Sequence, residues 1–239
     1  MRRGFIIRSE KLSVRLGRFL AEHKIVGCRT SRERMRFIEK LVESQRKCQA
    51  FRHRMFSGST DPLSDKFHPF RCILSNFENG DFDETVWLAF LCVHFGWDGN
   101  PKTRETIRRF YSMFDQGLWN WKTVARNPLS VRDWMRENSR RLSELKFGNH
   151  RKYESNKPDS DVGTPAVIES FVRWAAVHGN RSAYKAFQSF VQPSASPEMA
   201  FESLFRALDI HRFGRTARFD LLCLLGNLGI LAVAPAHPI

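Results

Sequence analysis

Apolar positions along the chain recur at helical rather than alternating spacing. From Ser9, the residues Leu12, Leu16, Phe19 and Leu20 fall on one face, with Ser9 placed to cap the helix start. A second helix is predicted over about 31–55. Met35, Ile38, Leu41 and Val42 form its inner stripe, while Arg32, Arg34, Arg36, Lys40, Arg46, Lys47, Arg52 and Arg54 crowd the remainder. Residues 57–65 (SGSTDPLSD) have loop composition, and 67–77 follow no clear period. From Asp83 the string DETVWLAFLCVHFG is apolar nearly all round, which predicts a buried central helix. Pro101 opens another helix running towards Gly117. Shorter helical pieces follow over 118–126 and 129–142, then a polar, broken stretch over 148–163. Thr164-Pro165, Ser182 and Ser196-Pro197 each start a further helix. The last is predicted over about 215–225, punctuated by Gly226 and Gly229. No segment alternates strictly, so the expected fold is all-α. Its expected organisation is a basic helical region over 1–66 and a helical core over 67–239.

Composition narrows the class. Hydrophobic residues at 42% and charged residues at 27% make an ordinary globular mix. No apolar run approaches the roughly 20 residues that span a bilayer, which excludes a membrane-embedded protein. The Arg-rich start lacks a secretory apolar centre, and Glu10 and Glu22 spoil the acid-poor signature of a transit peptide, so a folded first helix is expected. Cys28, Cys48, Cys72, Cys92 and Cys223 are odd in number and form no CxxC pair. That pattern argues against a disulfide framework and a cysteine-rich zinc site, and it fits a reducing cytoplasm. The charge is unusual: 39 Lys+Arg against 25 Asp+Glu give +14. Such a surplus opposes compaction unless a polyanion neutralises it, and a nucleic acid is the expected partner.

Four segments carry candidate chemistry. Arg132, Arg136 and Arg140 recur at i, i+4, i+8, a repulsive spacing that a phosphate backbone would reverse. Trp119 and Trp121 flank Asn120 after Gly117, and such rings can stack on an exposed base. Lys146 to Glu154 brings Asn149, His150, Arg151, Lys152, Tyr153 and Glu154 together behind Gly148, groups able to read bases, hold phosphates and move protons. In RFGRTARFD, a turn at Gly214 leads into a helix start whose backbone N–H groups can bind phosphate; Arg215, Arg218 and Asp220 follow. His94 reads as a satisfied core histidine. No metal constellation or Walker loop is present, and neither metal nor cofactor is expected.

FENGDFDETVWLAFLCVHFG, the WNW segment, KFGNHRKYES and RFGRTARFDLLCLLGNLGI together resemble the alpha-glutamyl/putrescinyl thymine pyrophosphorylases over about 67–230. The resemblance implies kinship with helix-hairpin-helix DNA glycosylases, an all-α fold and action on an exposed base in DNA. It allows two chemistries. A glycosylase would excise a modified, phage-type pyrimidine and leave an abasic site, as in anti-phage defence. A transferase would displace pyrophosphate from an activated hydroxymethyl pyrimidine and install an amine. Such glycosylases tend to place an Asp about 20 residues after the hairpin glycine, but that stretch here reads LAVAPAHPI. The acid is therefore expected to be Asp220, with Glu154 in reserve, stabilising an oxocarbenium-like transition state. Asn149, His150 and Tyr153 would position the base or the attacking water, and Trp119 and Trp121 would stack. Lys146, Arg151, Lys152, Arg215, Arg218, Arg132, Arg136 and Arg140 would hold phosphates. No carboxylate cluster for a pyrophosphate-bound Mg²⁺ is evident in the sequence, which favours the glycosylase. A basic DNA-binding module without catalysis is the third reading.

Overall fold

The structure is a computed structural model that describes residues 14–20, 22–23, 28–40, 58–97, 99–148, 154–192 and 195–236. It divides into two compact units, Met1–Ser57 and Gly58–Ile239. In the first, residues 14–20 and 31–40 are helical. The second of these helices begins with a reciprocal cap. Glu33 N donates to Thr30 Oγ1 (3.2 Å), and Thr30 N donates to Glu33 Oε2 (2.8 Å). Ile38 is its buried residue, and Cys28 just before it is also buried.

The helices of the second unit, numbered here from its start, are α1 (Pro69–Glu78), α2 (Phe82–His94), α3 (Pro101–Tyr111), α4 (Trp121–Arg126) and α5 (Leu129–Glu137). They continue with α6 (Ser139–Ser143), α7 (Thr164–Gly179), α8 (Ala183–Gln188), α9 (Pro197–Ala207) and α10 (Arg215–Asn227). No strand occurs among the described residues, and the fold is all-α. No helix of the described residues is long and apolar enough to cross a membrane.

α2 is the axis of this unit. Every residue from Glu84 to His94 is buried, and α1, α8 and α10 pack against it. Most of this unit's described phenylalanines are spent on the core, Phe82 being exposed. Phe90 stacks on Phe171 of α7 (4.1 Å, 4°) and on Phe213 (5.2 Å), and Trp87 lies parallel to Phe171. Full burial of each such ring contributes about 1.5–3 kcal/mol. His94 is buried and stacked on Phe90, as expected of a core histidine. Its Nε2 lies 3.0 Å from the Thr164 hydroxyl.

Three helical expectations change. The helix opened by Pro101 stops at Tyr111, well short of Gly117, because Met113, Phe114 and Asp115 take left-handed φ. The ambiguous stretch after residue 67 forms α1, with Pro69 in its first turn. The single helix expected over 129–142 is two helices, because Asn138 leaves helical geometry and its side-chain amide bonds back to Trp134 O (3.0 Å). Arg140 therefore does not continue the face that carries Arg132 and Arg136. Cys28, Cys72, Cys92 and Cys223 are free thiols; Cys48 lies outside the described residues.

Candidate active site

Between α9 and α10 the chain makes a short turn whose hydrogen bonds are supplied largely by α7. Trp174 Nε1 donates to Ala207 O (2.8 Å), His211 N donates to Ser170 Oγ (2.9 Å), and His211 Nε2 donates to Asp161 O (2.7 Å). Ile210 and Phe213 are buried anchors of the turn. Arg212 between them takes φ +60°, in the left-handed region. That conformation costs a non-glycine residue about 1–3 kcal/mol unless its surroundings enforce it, and the two buried neighbours supply that constraint here.

Gly214 is the N-cap of α10 and offers no side-chain cap. Its φ of −70° is open to any residue, and an added Cβ would meet nothing within 4 Å. The fold therefore does not require glycine at this position. What the missing side chain leaves is open space above the first-turn amides of Arg215, Thr216 and Ala217. Those amides have no acceptor within the helix, and they carry the positive end of its dipole.

A cleft of about 650 Å³ lies over this helix start, lined by Glu154, Asp209, His211, Arg212, Gly214, Arg215, Thr216 and Arg218, with Ile210 and Phe213 as its apolar floor. Three arginines and two acidic residues thus line one space, with Asp209, Arg212 and Arg215 exposed to solvent. Arg218 is braced: its Nε donates to Phe213 O (3.0 Å), and its Nη2 is 3.7 Å from Asp209 Oδ1. Glu154 is half-buried and is set by the clip that follows it. Ser155 bridges Gly163, and Ser155 O accepts from Thr164 N (2.7 Å) and from the Thr164 hydroxyl (3.1 Å). With its proton so directed, that hydroxyl accepts from His94 Nε2, which ties the clip to the buried axis.

Of the residues singled out from sequence, Glu154, Arg215 and Arg218 come together in this cleft. Asp220 does not line it. That residue is exposed on α10, one turn beyond Thr216, and so lacks the low-dielectric setting expected of a charge-stabilising acid. Trp119 and Trp121 are core residues rather than stacking platforms, at 3% and 5% exposure. Trp119 packs edge-on to Trp134, its carbonyl accepts from Trp87 Nε1, and Trp121 Nε1 donates to Arg181 O (3.0 Å). Arg132 grips Glu169 with Nε and Nη2 (2.9 and 3.0 Å) and also donates to Pro158 O. Arg136 is held between Asp133 and Asp159, at 2.7 Å from each. Both arginines contact protein carboxylates, Arg132 in a mostly buried pair and Arg136 in exposed ones. Lys146 is exposed, away from the cleft lining, with its backbone paired to the Thr106 hydroxyl. Asn149, His150, Arg151, Lys152 and Tyr153 lie outside the described residues. Gly148 before them is needed for close packing, since a Cβ there would fall 1.9 Å from Gly96 O.

His211, Arg212 and Thr216 had no role assigned from the sequence. The only local signal was their place beside Gly214, because the convergence with Glu154 spans about sixty residues of chain.

No curated protein and no solved structure matches the chain. A family model matches residues 32–238, most of its length, and the chain belongs to that family, alpha-glutamyl/putrescinyl thymine pyrophosphorylase clade 3.

Proposed function

We propose that the protein is a DNA-modifying enzyme that replaces pyrophosphate by an amine at an activated thymine-type base. The family's name indicates a thymine pyrophosphorylase. The observation that carries the reading is the meeting of Arg212, Arg215 and Arg218 at an uncapped helix N-terminus, with Glu154 on the same cleft. Guanidinium groups and first-turn amides stabilise the charge that gathers on a departing pyrophosphate by direct, charge-assisted hydrogen bonds. In this reading the arginines and first-turn amides handle the phosphates.

In the proposed step the amine nitrogen attacks the exocyclic methylene of the base. The C–N bond forms as the C–O bond to pyrophosphate breaks, and the electron pair of that bond leaves with the pyrophosphate. The attacking nitrogen then carries a surplus proton, which Glu154 is placed to accept, and Asp209 adds a second negative charge for a cationic amine. Reaching the cleft requires the base to leave the stack, at a cost of a few kcal/mol.

The glycosylase reading loses its main support with Asp220 in the open. The test is to incubate the protein with DNA carrying a pyrophosphorylated hydroxymethyl pyrimidine, together with glutamate or a diamine. The expected products are free pyrophosphate and a heavier base by mass spectrometry, with no alkali-labile sites. Abasic sites and a released base would overturn the proposal. Arg215→Ala is expected to reduce turnover at least tenfold, measured as pyrophosphate released.

A further inference from the structure

The chain's positive charge is not spread over the molecule. Sixteen of the 39 Lys+Arg and only five of the 25 Asp+Glu fall in Met1–Ser57, so this unit carries +11 of the net +14. The larger Gly58–Ile239 unit is left with +3, and several of its arginines are bound to its own carboxylates. Arg108 contacts Glu105 and Asp115, Arg132 contacts Glu169, and Arg136 contacts Asp133 and Asp159.

Within the first unit, the described helix over 31–40 shows how the charge is arranged. Ile38 marks the buried side. At 100° per residue, Arg32, Arg36 and Lys40 point roughly opposite to it, at i, i+4, i+8, and all three are exposed. Of the two acids on the same helix, Glu39 is exposed beside Lys40, whereas Glu33 has its carboxylate turned back to cap the helix start; the Thr30 backbone and hydroxyl hold its pKa below the ordinary value. Like charges one turn apart cost an isolated helix a few tenths of a kcal/mol per pair. Eight residues of helix span about 12 Å, over which one strand of a duplex presents three or four phosphates at about one per 3.4 Å of axis.

We propose that this helix is a docking surface for the DNA phosphate backbone. In this role the first unit supplies the sequence-independent affinity for the duplex, while the cleft of the second unit supplies the chemistry. The inference rests on the reading that DNA is the substrate. It goes further by assigning the electrostatic grip to Arg32 and Arg36 instead of Arg132 and Arg136, which contact protein carboxylates.

The test uses the full chain and a plain, unmodified duplex of about 20 base pairs, a length that leaves room for several phosphate contacts. Affinity is measured against salt for the wild type, for Arg32→Ala with Arg36→Ala, and for Arg206→Ala, which removes an exposed arginine of the second unit. Alanine is the better helix former, so the double variant keeps its helix, which circular dichroism verifies. The double variant is expected to bind about tenfold or more weakly at 0.1 M salt, with the slope of log K against log salt reduced by about two. Arg206→Ala is expected to stay near the wild type, and inorganic pyrophosphate is expected to bind all three proteins alike. Wild-type affinity and slope in the double variant would overturn the proposal. So would a wild type that binds vesicles rich in anionic lipid but no duplex. If the duplex is gripped as described and no pyrophosphate is ever released from modified DNA, the cleft reading fails and this one stands.

Discussion

Glu84 places a carboxylate in the core, where an unpaired charge would cost several kcal/mol. Its two oxygens are occupied: the Tyr111 hydroxyl donates to one, and Trp121 N donates to the other (2.6 Å). Burial pushes its pKa up to about 7, against the opposing pull of these hydrogen bonds. The sign of the consequence follows from linkage. A carboxyl that titrates near 7 when folded and near 4.5 when unfolded holds its proton more tightly in the native state. Its contribution to stability is fully present at low pH and is lost as pH rises between those two values, by at most about 1.4 kcal/mol per pH unit. Glu84→Gln retains the hydrogen bonding of the protonated acid without its titration. Thermal melts of the two proteins should therefore converge near pH 4.5 and separate towards pH 8, with the variant the more stable. Parallel curves would show that Glu84 does not titrate in this window.

At the scale of the element, α10 owes its start to a residue the helix does not need. Aspartate at an N-cap accepts a first-turn N–H and complements the helix dipole, whereas glycine does neither through a side chain. Because nothing lies within 4 Å of a Cβ at Gly214, Gly214→Asp should stabilise the protein by a few tenths to about 1 kcal/mol. The same carboxylate would occupy the open space beside Arg215 and repel an anion. Calorimetry should record a higher Tm, and titration with pyrophosphate should show at least tenfold weaker binding. A variant that is more stable and binds pyrophosphate normally would remove the helix start from the site. The clip over 154–164 is the other decisive element. Its polar, glycine-bounded composition marked it as irregular, but only the Thr164 and His94 contacts explain why Glu154 faces the cleft.

At the scale of the whole molecule, charge and location separate. Arg132 looked like a phosphate ligand because its spacing to Arg136 is that of a repulsive stripe, yet the structure pairs it with Glu169 across α5 and α7. Arg132→Ala should cost about 1–3 kcal/mol, since it strands a largely buried carboxylate. Denaturant melts should show that loss while duplex affinity and its salt slope stay at wild-type values. A fall in DNA affinity without a stability change would return Arg132 to the interface.

The linear pattern carried a good deal. Helical spacing, proline at helix starts and serine or threonine just before them fixed most helices of the second unit, because these signals act within a few residues. The charge surplus pointed to a polyanion for the same reason: net charge is a property of composition. The strings around Gly148 and Gly214 singled out two of the segments that meet in the cleft. Tertiary packing decided the rest. It sent Trp119 and Trp121 inward and matched Arg132 with a carboxylate 37 residues away. It also left Asp220 outside and gathered Arg212, Arg215, Arg218 and Glu154 around one space. A side chain's chemistry is written in the sequence, but its dielectric surroundings and its partner come from segments far along the chain, and those two things determine whether it binds, reacts or only holds the fold.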